Sequence, residues 1–232
     1  MVYQLNGIIS DVRVCLEENS AIESDDLGLA GIGDEGTLTL NEVIRSKVVE
    51  GVRIVHCTAP THMLENSVPM KVGGSVIDGD AKSFGDSIYW EGSSDHGYVM
   101  LPEDFMRLLM FRMDDWERTV YVAKTVYEKS YERQSSRHKG LRGTPQKPVC
   151  VIGLRPEGRV LEFYGSESNE AVVESATYLP YPYIDEDDGI RISKRCYESA
   201  IYMISSLVAM TYGDTEKSAV LKENSVKLIS NS

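Results

Sequence analysis

Residues 199–229 read SAIYMISSLVAMTYGDTEKSAVLKENSVKLI, and they decide the fold class. Cys196, Ala200, Met203, Ile204 and Leu207, continued by Thr211, recur at intervals of three and four. That spacing puts one apolar face on a helix. Ser193 is read as its N-cap, because a serine hydroxyl can satisfy a free backbone N–H of the first turn. Gly213 stands where a left-handed residue closes such a helix. A second helix is expected from Asp214 or Thr215 to about Ile229, with Leu221, Leu228 and Ile229 as a thinner apolar face.

The start of the chain repeats this character. Leu5, Ile8, Ile9, Val12, Cys15 and Leu16 predict a helix from Tyr3 to about Asn19. Leu40, Val43, Ile44, Val48, Val52 and Val55 predict another from about Leu40 to Cys57, closed by Pro60. These two stripes can bury each other in an antiparallel hairpin. Between the terminal pairs the pattern changes. Gly73, Gly74, Gly79, Gly85, Gly92 and Gly97 break the stretch 61–97 into short pieces, with strands expected at Val72–Ile77 and Ser87–Trp90. LPEDF, at Leu101–Phe105, reads as a short helix start: Pro102 suits the first turn, and Phe105, Leu108 and Leu109 supply a buried face. Thr119–Val126, Pro148–Leu154, Arg159–Tyr164 and Ala171–Tyr178 read as strands, the middle two joined by a tight turn at residues 156–158. Lys129–Gln146 reads as a polar loop.

The fold class expected is mainly α with inserted β: a helical bundle of N- and C-terminal helices with a projecting β subdomain. The expected divisions are 1–60 (N-terminal helices), 61–100 (a glycine-rich β excursion or arm), 101–190 (short helix plus β subdomain) and 191–232 (C-terminal helices).

The 232 residues suffice for a core without staples. With 42% hydrophobic and 26% charged residues, a folded chain is expected. The net charge of −12 disfavours nucleic-acid binding unless basic residues cluster on one face. Arg133, Arg137, His138, Lys139 and Arg142 form the one such cluster in sequence. It reads as a solvated loop, or as a docking patch for an acidic partner or a nucleic-acid strand. No apolar run reaches the length of a membrane span, and the first residues lack a signal-peptide pattern, so the protein is expected to stay where it is made or be packaged from there.

Catalytic and metal-binding patterns are sparse. Cys15, Cys57, Cys150 and Cys196 are far apart, without the close pairing of a zinc site, and read as small core residues. His56 and Cys57 are adjacent, but neighbouring helical residues diverge by about 100° and do not face each other. A buried Cys with a boundary His is the expected arrangement. GLAGIGDEG, at Gly28–Gly36, lacks the preceding strand and the Lys-Ser/Thr of a phosphate loop. The acidic runs at Asp78–Asp80 and Asp185–Asp188 lack the alternating carboxylates and distant Glu of a calcium loop. No catalytic residue, cofactor or metal site is assigned. The candidate interface residues are Tyr178, Tyr181 and Tyr183 of YLPYPY, because tyrosine pairs an apolar body with a tip that can stay wet, together with Arg133, Arg137 and Arg142.

The ordered set LPEDFMRLL, Trp116, VCVIGL, RVLEFYG, YLPYPY and the YGDTEKSA helix junction, spanning about Leu101 to Ile229, resembles the head-to-tail connector, or adaptor, proteins of short-tailed phages. That group includes tail tubular protein A. The crAss-like phages build stacks of such rings, and this chain resembles one of their subunits. The resemblance implies a non-enzymatic structural virion protein, made in the host cytoplasm. It implies a homo-oligomeric, dodecameric ring between the portal protein and adjacent ring or tail proteins. Genome DNA would pass through it, during packaging, retention and ejection, without specific binding. No cofactor and no membrane are implied. The alternatives are another tail-completion or structural protein, and a cysteine-type hydrolase that would need Cys57 or Cys150 beside a histidine.

Overall fold

A computed structural model describes residues 1–16, 38–64, 82–85, 87–92, 95–136 and 138–230. The fold is mixed α/β, with several helices and multi-strand sheets. The chain forms two compact units, one from Met1–Glu65 with Pro182–Ser232 and one from Asn66–Tyr181. The first stretch holds β1 (Val2–Gln4), α1 (Leu5–Cys15) and α2 (Leu40–Thr58). The middle holds β2 (Lys82–Ser83), β3 (Ile88–Trp90), β4 (His96–Met100), β5 (Phe105–Met113), β6 (Lys124–Thr125), the single turn α3 (Lys129–Glu132), β7 (Val149–Arg155), β8 (Gly158–Tyr164) and β9 (Val173–Pro180). The last stretch holds β10 (Gly189–Arg191), α4 (Tyr197–Thr211) and α5 (Thr215–Ser230).

Helix α4 is the axis of the terminal unit. Nine of its fifteen residues are buried, including Ala200, Met203, Ile204, Val208 and four serines or alanines around them. A helix apolar around most of its circumference must be enclosed. Helices α1, α2 and α5 enclose it. Small residues set the spacing. Gly51 of α2 lies against Ile204, so close that a β-carbon there would stand 2.5 Å from Ile204 Cγ1 and 3.2 Å from its Cα. Serines set the α4–α5 contact. Ser206 Oγ donates to the Ser218 carbonyl at 2.8 Å, Ser199 Oγ to the Ser225 carbonyl at 2.9 Å, and Ser225 Oγ back to the Ser199 carbonyl at 2.8 Å. These buried hydroxyls are satisfied, which removes the penalty of burying them.

The chain ends are sealed to each other. β1 pairs antiparallel with β10, placing Tyr3 opposite Ile190. The Met1 amino group donates to the Ile192 carbonyl at 3.3 Å, and Ile192 N–H donates to the Met1 carbonyl at 3.0 Å. The Tyr3 ring stacks on Tyr197 at 4.1 Å, and the Tyr197 hydroxyl donates to Asp11 Oδ2 at 2.6 Å. Lys217 Nζ donates to the Leu16 carbonyl that ends α1. Helix α2 begins in a reciprocal cap: Thr39 Oγ1 accepts from Glu42 N–H, and Glu42 Oε2 accepts from Thr39 N–H at 2.7 Å.

The middle unit is two sheets sharing one core. One has strand order β2-β9-β5, the other β3-β4-β8-β7-β6, and β6 with β7 is the parallel pair in an otherwise antiparallel arrangement. Val120 bridges to Phe111 of β5, and a few residues later Lys124–Thr125 joins β7, so one crossing segment contacts both sheets. Phe84, Phe105, Phe111, Trp116, Phe163 and Tyr178 interlock in the core, with ring centroids 5.5–6.3 Å apart. Offset and edge-on contacts of this kind add to the burial itself.

Several expectations are corrected. The short helix at LPEDF is absent: Pro102–Phe105 is a turn leading into the nine-residue strand β5. Leu, Met and Arg favour helix in isolation, but both faces of this strand are largely buried, so its sequence lacks the alternation that marks a strand. Register shifts after Phe105, Leu108 and Arg112 scramble the period further. Asp104 accepts from Lys82 Nζ at 2.5 Å and from the Tyr178 hydroxyl at 2.6 Å, so it ties β2 and β9 to the turn that starts β5. Ser193 does not cap α4: its hydroxyl donates to the Met63 carbonyl at 2.6 Å. Tyr3 lies in a strand and α1 ends at Cys15. The polar stretch Lys129–Gln146 contains α3 and short helical turns. Of the 61–100 excursion, Val72–Ile77 lies outside the described residues, while β2, β3 and β4 are built into the two sheets. Among the described residues, no helix is long and apolar enough to cross a membrane.

Replacing Gly51 by alanine should destabilise the chain by about 1–3 kcal/mol in urea unfolding, because Ile204 has no room to retreat. Alanine is intrinsically the better helix former by ~1 kcal/mol, so a stabilised variant would show that α2 and α4 do not meet at this point.

Candidate functional site

The most concentrated set of charged groups lies on one face of the five-stranded sheet. Register puts His96, Tyr98, Arg155, Glu162 and Tyr164 on that face, because Tyr98 and Val151 both stand opposite Glu162, and His96 stands opposite Tyr164. Arg155 is the hub. Its Nε and Nη2 both donate to Glu162 Oε1, at 3.0 and 2.7 Å, and its Nη1 donates to Glu91 Oε1. Its guanidinium also sits 4.2 Å over the Tyr98 ring, which stacks on Tyr89. Glu162 is buried, and its second oxygen accepts from the Tyr164 hydroxyl at 2.7 Å.

A second tier ties the covering segment down. His96 Nδ1 lies 2.7 Å from Asp95 Oδ1, and the His96 ring stacks on Tyr164. Arg142 donates to Asp95 Oδ2 at 3.1 Å and to the Ser136 carbonyl, and Gln134 Oε1 accepts from Gly143 N–H at 2.8 Å. The Arg155 hydrogen bond holds the Glu91 carboxyl below its ordinary range, and the His96 hydrogen bond does the same for Asp95. Burial first, then the Glu162 carboxylate, pushes the Tyr164 hydroxyl far up, and burial likewise raises Tyr131 beside it. Hydrogen bonds among Arg155, Glu162, Tyr164, Glu91, Asp95, His96 and Arg142 tie the sheet to its cover.

The sequence-derived interface residues separate. Tyr178 is only 3% exposed, inside the aromatic core, so it offers nothing to a partner. Tyr181 and Tyr183 are exposed. Arg133 is exposed beside α3, Arg142 is held in the network above, and Arg137 lies outside the described residues. His56 and Cys57 reverse the expected arrangement: the histidine is buried and the cysteine exposed. Cys150 and Cys196 are core residues as expected, whereas Cys15 is half-buried. Burial pushes the Cys150 thiol well up, the opposite of what a thiolate nucleophile needs. The run at Asp185 is an internally bonded turn: Asp185 Oδ1 accepts from Asp187 and Gly189 N–H, and Asp188 pairs with Arg45 at 2.5 Å. The glycine-rich Gly28–Gly36 stretch and Asp78–Asp80 lie outside the described residues.

Sequence reasoning missed the Arg155 hub and a stretch of exposed apolar side chains, Tyr121, Val122 and Tyr127. The signal for the hub was there: Arg155 and Glu162 flank one tight hairpin, but only the register shows that they meet. A cleft of roughly 310 Å³ in the terminal unit is lined by Asp11, Val14, Cys15 and Tyr197, with no histidine among its lining residues. No known protein family matches the chain. No curated protein matches it either.

Glu91 and Asp95, whose carboxyls are lowered as those of Asp104 and Glu128 also are, give the middle unit an acid limit. A carboxyl whose folded value is depressed adds stability that is full above its unfolded value, ordinarily 4.5 for Glu91 and 3.8 for Asp95, and that disappears as pH falls through the folded values. Stability measured by urea at stepped pH should therefore fall below about pH 4.5. Arg155→Met should cost about 3 kcal/mol at pH 7, since it leaves the buried Glu162 without its partner, and should flatten part of that acid limb. An unchanged acid limb in the variant would remove Arg155 as its source.

Proposed function

We propose that the chain is a non-enzymatic, ring-forming subunit of the portal-to-tail connector of a tailed phage. In this reading a bundle of N- and C-terminal helices forms the body of the subunit and a β domain projects from it. The observation that carries the reading is the convergence of the two chain ends around α4, with residues 66–181 inserted between them as a separate β unit. This is the order of parts implied by the resemblance of residues 101–229 to connector proteins. A ring subunit needs a rigid body and a second element that reaches its neighbour, joined by head-to-tail contacts that close. The polar cluster at Arg155 fits the same view, since its mutual hydrogen bonds stiffen the β unit. The partners in this reading are further copies, the portal, and adjacent ring or tail proteins, in the virion. The acidic balance suits a conduit, because carboxylates repel a sliding duplex instead of holding it.

Analytical ultracentrifugation and native mass measurement of the purified chain test this directly. One closed oligomer of fixed stoichiometry is expected, with no retention of duplex DNA at low salt. A chain that remains monomeric across the accessible concentration range, or that turns over a peptide or glycan substrate, would overturn it.

A further inference from the structure

The β6–α3 segment and the residues beside it combine positive charge with exposed apolar side chains. Between Arg118 and Arg142 the sequence carries seven Lys or Arg against two Glu, in a chain whose net charge is −12. The same segment exposes large apolar side chains: Tyr121 is 54% exposed, Val122 68% and Tyr127 94%. Lys129 and Arg133 are exposed, stand four residues apart on consecutive helical turns, and so share one side. Neither makes an ion pair among the described residues, whereas Lys124 is neutralised by Glu128 at 3.2 Å. An almost wholly exposed tyrosine and an exposed arginine in one segment suit a contact surface, where aromatic residues and Arg are enriched.

A surface of the opposite kind sits in the terminal unit. Tyr183 is 60% exposed, and Glu186 and Asp187 after it are exposed and carry no ion pair among the described residues. The turn that presents them is rigid, because Asp185 takes the N–H groups of Asp187 and Gly189, and Asp188 is fixed by Arg45. We propose that the β6–α3 face of one copy docks the Tyr183–Asp187 turn of the next copy, with Lys129 and Arg133 opposite Glu186 and Asp187. The two surfaces differ, so the contact is head-to-tail, the kind that forms a ring when its rotation closes. This surface rests on the reading of the chain as a self-assembling subunit, and it names the contact that reading requires.

Charge reversal tests it with the full chain. Lys129→Glu with Arg133→Glu should weaken self-association at least ~tenfold, and Glu186→Lys with Asp187→Lys should do the same, since rim and interface charges of like sign repel. All four positions are exposed, and circular dichroism checks that the variants stay folded. Combining the two pairs in one chain, or mixing the two variants, should restore association. A wild-type chain that associates and is matched by the Lys129→Glu/Arg133→Glu variant overturns this surface alone. A wild type that never associates overturns the ring reading together with it. Salt-sensitive binding of duplex DNA that vanishes in that variant, with association intact, assigns the face to nucleic acid and overturns the docking proposal.

Discussion

Helix α4 presents apolar or small side chains around most of its surface, and such a helix folds only when other elements enclose it. The enclosing elements come from both ends of the chain, α1 and α2 from the start and α5 from the end. Everything else in the terminal unit follows from that demand. Gly51, Ser206 and Ser218 let backbones approach closely, and the β1–β10 pair fixes the first residues against the last stretch. The chain between them is released to fold on its own terms. It does so as two sheets around a set of interlocking aromatic rings.

The middle unit is held by two kinds of force on opposite faces of one sheet. Apolar burial dominates the face with Leu161 and Phe163, and charge pairing dominates the face with Glu162 and Tyr164. A carboxylate buried as Glu162 is would be costly alone, and Arg155 offsets that cost by bonding it twice while also reaching Glu91. The same arrangement fastens the segment that carries β6 and α3 through Arg142 and Gln134. That segment is the basic and apolar surface from which a neighbour contact is inferred, and a segment already fastened would lower the ordering cost of the proposed contact.

Much of this was legible in the sequence. The four long helices lie where three-and-four spacing puts them, and the strands at Val149–Arg155, Gly158–Tyr164 and Val173–Pro180 follow their β-branched and aromatic composition. The T-x-x-E signal at Thr39–Glu42 was also readable as a capping box, though apolar spacing alone drew attention to α2. Strand β5 was not legible, because burial on both faces and three register shifts erase the period that marks a strand. Ser193 failed as a cap because Met63, distant in sequence, offered its hydroxyl a better partner. The Arg155 cluster depends on β4–β8–β7 register, and the burial of Tyr178 on the Asp104 turn. Neither has a local signature. Sequence pattern reports faces, while pairings between distant residues belong to the folded state.

The proposed assembly role draws on a helical unit built from both ends of the chain, a β unit stiffened by one guanidinium, and two exposed surfaces of opposite charge. Electron microscopy of the purified chain mixed with the portal proposed as its partner puts that role to the test. The expected result is a closed collar added to one end of the portal, with the symmetry of a ring of this chain. A portal that remains bare beside dispersed single subunits would contradict it.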